Sequence, residues 1–317
     1  MEMSVIIPCY NSMPILHTLI ECTIEELEKM KIKSYEFILV NDGSPNPDTI
    51  VFLKSLVEEF PSVKLVDLAK NTGQSNAQLA ALNFASGDYV INMDDDMQTH
   101  PKNIPILYAK INEGYDLVLG KYKKKKHSFY RRLLTNMDDK FERIFLKKPA
   151  EISFTSFWIT RKYIVDEIKK YKNPYSFMEG LFLRTAGKIA NAEIEHFDRS
   201  EGQSGYNLFK LIKLWSNFTG FTILPLRIAD GLGIITGILG VIYAIKTIVS
   251  KIIDPTMLVG YASIISLMLI FFGITLFCIG MLGEYVGRVF MSLSNTPQYV
   301  VKQTYNFEKK NEMEEED

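Results

Sequence analysis

The sequence predicts an α/β protein: a Rossmann-like, mostly parallel sheet, followed by interfacial amphipathic helices and an α-helical transmembrane hairpin. Three observations carry this. Short apolar runs alternate with helical patterns through the first part of the chain, as in successive βαβ units. The apolar run Tyr89-Val90-Ile91-Asn92-Met93 stops at Asp94-Asp95-Asp96, a carboxylate cluster where an open α/β sheet places its ligand chemistry. Two long apolar segments then close the chain.

In order, Ser4 to Ile7 reads as a strand ending in the turn Pro8-Cys9-Tyr10-Asn11, and a helix covers Pro14 to Met30. A second strand, Tyr35 to Val40, ends in Asn41-Asp42-Gly43-Ser44, and a helix runs from Asp48 to Phe60. Val63 to Leu68 is a third strand, and Asn71-Thr72-Gly73 opens an Ala-rich helix to Ala85. Gly87-Asp88 introduces the strand before the aspartates, and Tyr115 to Leu119 is a further strand candidate. The basic run Lys121 to Lys126 follows. Phe129, Leu133, Met137, Phe141 and Ile144 then recur at helical spacing, with Arg131, Arg132, Lys140 and Arg143 on other faces. That pattern suits either a headgroup-layer helix or a core-facing one. Between Tyr206 and Phe218, Asn207, Lys210, Lys213 and Asn217 share one face and Leu208, Leu211, Ile212, Trp215 and Phe218 the other. Directly before the apolar segments, this is read as interfacial.

Thr256 to Gly283 has no charged side chain and exceeds the ~20 residues a crossing helix needs. Ile228 to Val249 is flanked by Asp230 and Lys246 near its ends, and the short link Lys251 to Pro255 makes the two a hairpin. Arg227, Arg288 and Lys302 place both hairpin ends on the cytoplasmic side. The expected organisation is a catalytic domain over 1–204, an interfacial helix over 205–224, the hairpin over 225–290 and a cytoplasmic tail over 291–317. The acidic stretch Glu308 to Asp317 is expected to be disordered. Glu2 stands where a secretory signal has basic residues, so the bulk of the chain is expected on the synthesis side of an inner membrane.

Of 317 residues, 47% are hydrophobic, and mean hydropathy is +0.03, between soluble and polytopic proteins. A net charge of -1 excludes bulk nucleic-acid binding. Three cysteines, Cys9, Cys22 and Cys278, have no metal-ligand spacing and form no disulfide framework. His17, His100, His127 and His196 likewise lack ligand spacing and read as structural or exposed.

The aspartates carry the sharpest chemistry. Alternation along the backbone lets Asp94 and Asp96 share a hard divalent cation, Mg²⁺ or Mn²⁺, while Asp95 points the other way. A single carboxylate capping the helix that Pro101 starts is the competing reading. It leaves three mutually repelling carboxylates unexplained. Asp42-Gly43 is either an acceptor for a base or ribose or simply a turn. Asn71 and Gly73 present backbone N–H groups to an anion or cap a helix. Arg199 and Ser204 suit phosphate recognition or a solvated loop.

Taken together, Val5 to Asn11, Asn41 to Ser44, Asn71 to Gln74, Asp94-Asp95-Asp96-Met97-Gln98 with Pro101, Leu224 to Arg227 and Leu282 to Arg288 resemble one family. It is the GT-A-fold family 2 glycosyltransferases that act on polyprenyl phosphates, in the bacterial branch with two C-terminal membrane helices. The resemblance runs from Ser4 to about Gln303. It implies an inverting, metal-dependent transfer of a sugar from a nucleoside-diphosphate sugar to polyprenyl phosphate at the bilayer, in a homo-oligomer, often a tetramer. Pro8, Tyr10 and Asp42 would line the nucleotide pocket, with Asn11, Asn71, Gly73 and Asp95 among the donor contacts. Asp94 would contact ribose or the metal-bound diphosphate, Asp96 the Mg²⁺ or Mn²⁺, and Gln98 the sugar–diphosphate region. Arg131, Arg199 and Ser204 would bind phosphate. A phosphate acceptor is already anionic and needs little general-base help. Transfer to a hydroxyl, with Glu179 as base, and an inactive scaffold for glycan export are the alternatives. The chain departs from the family at Ser12, where many relatives carry Glu. It departs again at Ile152 to Trp158, which lacks an acidic residue and an Arg, and at Gly205, in place of a common Lys.

Overall fold

A computed structural model describes residues 2–12, 14–122, 143, 148–174, 176–195, 224–254, 260–294 and 296–307. These fall into two units, residues 1–206 with 295–317, and residues 207–294.

In the first unit, strands β1 (Met3–Cys9), β2 (Tyr35–Asn41), β3 (Val63–Leu68) and β4 (Tyr89–Asn92) alternate with helices α1 (Ile15–Lys29), α2 (Pro47–Glu59) and α3 (Gln74–Phe84). Asn46 caps α2 by accepting from the Asp48 amide at 3.0 Å, and Pro47 supplies the preset first-turn φ. After a short 3₁₀ turn, α4 spans Ile104–Ile111, and β5 (Leu117–Tyr122) follows. Then come β6 (Trp158–Arg161), α5 (Lys162–Lys169), α6 (Met178–Thr185), β7 (Ile189–Ile194) and β8 (Val301–Tyr305).

The strands form one sheet in the order β7-β5-β6-β4-β1-β2-β3-β8. β1 is parallel to both β2 and β4, β2 to β3, and β5 to β7. β6 is antiparallel to both its neighbours, and β8 is antiparallel to β3. All strands but β6 and β8 therefore run one way, as the mostly parallel expectation requires. Val5, Ile7, Phe37, Leu39, Leu65 and Ile91 pack in one core with Leu16, Leu19, Leu53, Leu56, Ile104 and Leu107 of α1, α2 and α4. The opposite face, including Ile6, Ile38 and Val40, is equally buried, and there α3 covers β1 and β2. Burial on both faces is why these strands read as unbroken apolar runs.

β8 was not foreseen: part of the stretch read as a tail after the hairpin instead closes the β3 edge. Leu65 pairs with Tyr305 and Val66 with Thr304, and the Asn306 side chain donates to the Val63 carbonyl at 2.8 Å. Phe307 stacks on Phe84 at 4.9 Å.

The second unit holds α7 (Leu224–Ile253) and α8 (Tyr261–Leu293), which pack on each other. Both are long and apolar enough to cross a membrane, with the strongest windows at Leu226–Tyr243 and Ile270–Leu293. Their apolar side chains, Ile234, Leu239, Phe272 and Leu276 among them, face outward rather than into the unit. The two predicted amphipathic helices lie outside the described residues, apart from Arg143.

Candidate active site

Chain order along the sheet fixes where a ligand can enter. From β1 the chain steps to β2 on one side, while β4 lies on the other. The carboxyl ends of β1 and β4 therefore flank a crevice of the kind at which open α/β sheets bind ligands. A cleft of about 360 Å³ opens there, lined by Pro8, Cys9 and Tyr10 after β1 and Asp42 after β2. Asn71, Gly73, Gln74 and Ala77 around the start of α3, with Asp94, Asp95 and Asp96 after β4, complete it. Of the residues expected in the pocket, Pro8, Tyr10, Asp42, Asn71, Gly73 and all three aspartates meet in this one place.

Asp42 has a specific job in that wall. Its Oδ1 accepts from the Thr72 amide at 2.7 Å and the Thr72 hydroxyl at 2.9 Å, and its Oδ2 from the Gly73 amide at 2.9 Å. The Gly73 amide, read from sequence as available to an anion, thus serves Asp42, together with the Thr72 amide. Gly73 is the N-cap of α3 at φ 87°, a conformation that suits glycine. Gly43 sits at φ 58°, where a Cβ would lie 2.3 Å from the Lys70 carbonyl carbon, so the β2 turn presses on the segment Asp42 holds. Beside them the Asn11 amide donates to Ser44 Oγ at 3.0 Å, and Ser44 Oγ donates to Asn41 Oδ1 at 2.6 Å. This ties the β1 loop to the β2 loop. Asn11 itself is not among the lining residues.

The aspartates do not cap the next helix. That task falls to His100, whose Nδ1 accepts from the Lys102 amide at 3.2 Å ahead of Pro101. Asp94 accepts from the Gln74 side-chain amide at 2.9 Å and, on its other oxygen, from the Ser156 hydroxyl. Asp95 accepts from the Ser12 hydroxyl and lines the same cleft, so the expectation that it points away is corrected. Simple alternation fails because β4 ends at Asn92, and Met97 adopts φ 57°. The chain through the aspartates is thus a turn, not a strand. Asp96 Oδ1 accepts from the Gln98 amide at 3.1 Å, which gives Gln98 a backbone role; its side chain is not part of the lining.

Burial, opposed by Ser156 and reinforced by Asp96 and Asp95, pushes the Asp94 carboxyl up to about 6. Burial raises Asp95 too, against the Ser12 hydrogen bond. Burial, with Asp95 nearby, lifts the Cys9 thiol well above its usual range, which disfavours its thiolate. Tyr122, near enough to Asp94 and Asp96 to feel their charge, shares a 2.5 Å hydrogen bond with Thr99.

Ser12, Gln74 and Ser156 escaped the sequence reading as donors to the cluster. Ser12 and the Ile152 to Trp158 segment did stand out, as departures from the family pattern. Arg131, Arg199, Ser204, Gly205, His127 and His196 lie outside the described residues. Glu179 sits half-buried in the first turn of α6 and does not line the cleft.

Among the described residues, no group of three or more His, Cys, Asp or Glu side chains is arranged to hold a metal. Mg²⁺ sites use one or two carboxylates, with substrate phosphates and water completing the shell.

The sequence profile of Glycosyl transferase family 2 matches residues 4–169, and that of the GtrB C-terminal hairpin matches residues 224–289. An undecaprenyl-phosphate 4-deoxy-4-formamido-L-arabinose transferase of Proteus mirabilis is 29% identical, covering 100% of this chain and 98% of its own. An uncharacterised glycosyltransferase of Synechocystis is 31% identical over 97% of this chain and 96% of its own. A prophage-derived bactoprenol glucosyl transferase of Shigella flexneri is 28% identical over 96% and 99%.

Proposed function

The chain belongs to glycosyl transferase family 2. From that premise we propose that it moves a sugar from a nucleoside-diphosphate sugar, a UDP-sugar in the first instance, to polyprenyl phosphate at a membrane. The observation that carries this is the cleft at the sheet's switch point, with Asp94, Asp95 and Asp96 on one chain as the membrane hairpin. Relatives named for undecaprenyl phosphate and bactoprenol support the acceptor.

In this reading Pro8, Tyr10, Asn71 and Gly73 wall the nucleotide, and Asp42 holds the Asn71–Gly73 wall in place. Asp94 and Asp96 would hold Mg²⁺ or Mn²⁺, which would offset the negative charge developing on the departing diphosphate. An acceptor phosphate oxygen bonds to the anomeric carbon as the bond from that carbon to the diphosphate oxygen breaks, inverting the configuration. The attacking oxygen is already anionic, so no side chain has to remove a proton. The placement of Glu179 outside the cleft lining agrees with this. Arg131, Arg199 and Ser204 are the further phosphate contacts proposed. The hairpin keeps the domain at the bilayer, with the catalytic domain and both termini on the cytoplasmic side, where nucleotide-sugars are made.

The test uses the purified full chain with Mg²⁺ or Mn²⁺, polyprenyl phosphate and a panel of nucleotide-sugars, read by mass spectrometry of the lipid. The expected product is polyprenyl phosphate carrying one sugar, with release of nucleoside diphosphate. Asp96→Ala should lower turnover about 10²-fold or more at unchanged melting temperature. Absence of a glycosylated phosphate lipid across the panel overturns the proposal.

A further inference from the structure

Two hydroxyl groups reach the acidic cluster from opposite sides, and neither belongs to the motif that carries the aspartates. Ser156 lies just before β6 and donates to Asp94 Oδ2. Its own backbone is fixed, because the buried Asn92 side chain donates to the Ser156 carbonyl at 2.5 Å. Asn92 is the last residue of β4 and pairs with Trp158 of β6, so the clamp is built into the strand pairing. Trp158, 2% exposed, is held against the Phe182 ring at 4.8 Å. Ser156 is therefore set on a packed antiparallel ladder.

Ser12 approaches from the β1 loop and donates to Asp95 Oδ2. It is 8% exposed, and its neighbour Asn11 is tied to Ser44. Each serine thus has a fixed backbone and a different carboxylate to hold. Gln74 holds the second oxygen of Asp94 from α3.

We propose that Ser156 and Ser12 are positioning residues of this glycosyltransferase, fixing Asp94 and Asp95 so that the cluster presents one arrangement to a divalent cation and the donor diphosphate. This inference rests on the function proposed above. The physical reason is mutual repulsion: adjacent carboxylates spread apart unless donors hold them, and a cation gains most from ligands already in place. Serine suits the role because a hydroxyl donates without bringing a positive charge that would compete with the cation. Two of the three places read from the sequence as departures, Ser12 and the segment that holds Ser156, then act together: both supply a small neutral donor to the same acidic group.

The test measures Mn²⁺ binding to the full chain by electron paramagnetic resonance, without nucleotide, alongside steady-state kinetics as Mn²⁺ is varied. Ser156→Ala should weaken Mn²⁺ binding about tenfold or more, the loss expected for a hydrogen bond to a charged group. The Mn²⁺ concentration for half-maximal rate should rise by a similar factor, and saturating Mn²⁺ should restore most of kcat. Ser156→Thr keeps the hydroxyl and should bind Mn²⁺ nearly as wild type does. Ser12→Ala should have a smaller effect in the same direction, since its partner Asp95 is not a proposed ligand. Unchanged Mn²⁺ affinity in Ser156→Ala, or an equal loss in Ser156→Ala and Ser156→Thr, overturns the positioning role alone. A wild-type chain that binds no Mn²⁺, with nucleoside diphosphate added or without it, overturns both this inference and the metal-dependent reading beneath it.

Discussion

Glu36 shows how a carboxylate survives inside this sheet. It lies on β2 at 1% exposure and accepts from Ser4 Oγ at 2.6 Å, the Ser86 amide at 2.8 Å and hydroxyl at 2.7 Å, and Lys64 Nζ at 2.8 Å. Burial alone would raise its pKa; the hydrogen bonds from Lys64, Ser4 and Ser86 outweigh burial and hold it below the usual range. The folded value is thus under the unfolded one of about 4.3. Its stabilisation is complete above that pH and is lost as acid titrates the folded carboxylate. Glu36→Gln should cost about 2 kcal/mol at pH 7. Melting temperatures followed from pH 7 down past pH 4 should fall less steeply in the variant than in wild type. Equal slopes would remove Glu36 from the acid response. The same scale shows what the sequence disclosed of the site. Asp94 to Asp96 were legible because they follow an apolar strand directly. Ser156 was not, because the fold brings it across 62 positions to Asp94 through a β4–β6 pairing that no local pattern announces.

At the scale of elements, legibility followed the length of the unbroken apolar run, since β6 is buried yet too short to read. β1 to β4 are covered on both faces or nearly so, and their runs of Val, Ile, Leu and Phe read as strands to within a few residues. β6 has four residues, including a Thr and an Arg, and β8 reads Val301-Lys302-Gln303-Thr304-Tyr305, largely exposed at an edge. Neither pattern rises above a loop in sequence alone, because each strand depends on its neighbour rather than on its own apolar content. β8 nonetheless blunts the β3 edge, which would otherwise offer unpaired N–H and C=O groups. Its hold is extended by Tyr299, which meets the Asn83 side chain at 2.8 Å, and by Phe307 on Phe84. A chain ending at Ser294 should melt several degrees lower and aggregate more readily, as followed by thermal scanning with light scattering. Lys302→Ala should barely shift the melting temperature, since its 3.8 Å contact with Asp67 is made by a side chain 69% exposed. A truncated chain as stable as the full one would show that β8 is a passenger.

For the whole molecule, β8 has a consequence for topology. The first folded unit is made of residues 1–206 and 295–317, so the chain leaves it, forms α7 and α8, and returns to it. A folded sheet cannot be threaded through a bilayer, and both ends of the hairpin must emerge where the unit lies. On the proposed membrane reading the number of crossings is therefore even, a stronger constraint than the placement of Arg227 and Arg288 alone provides. On the proposed reading, in which both helices cross, residue 254 lies on the other side of the membrane from residue 302. Single cysteines test this in a background lacking Cys9, Cys22 and Cys278. In intact cells an impermeant maleimide should label Asp254→Cys, and it should reach Lys302→Cys only after permeabilisation. Labelling of both from outside, or of neither, would mean that the pair does not cross. The apolar sides of Ile234, Leu239, Phe272 and Leu276 would then need a protein partner instead of lipid to cover them.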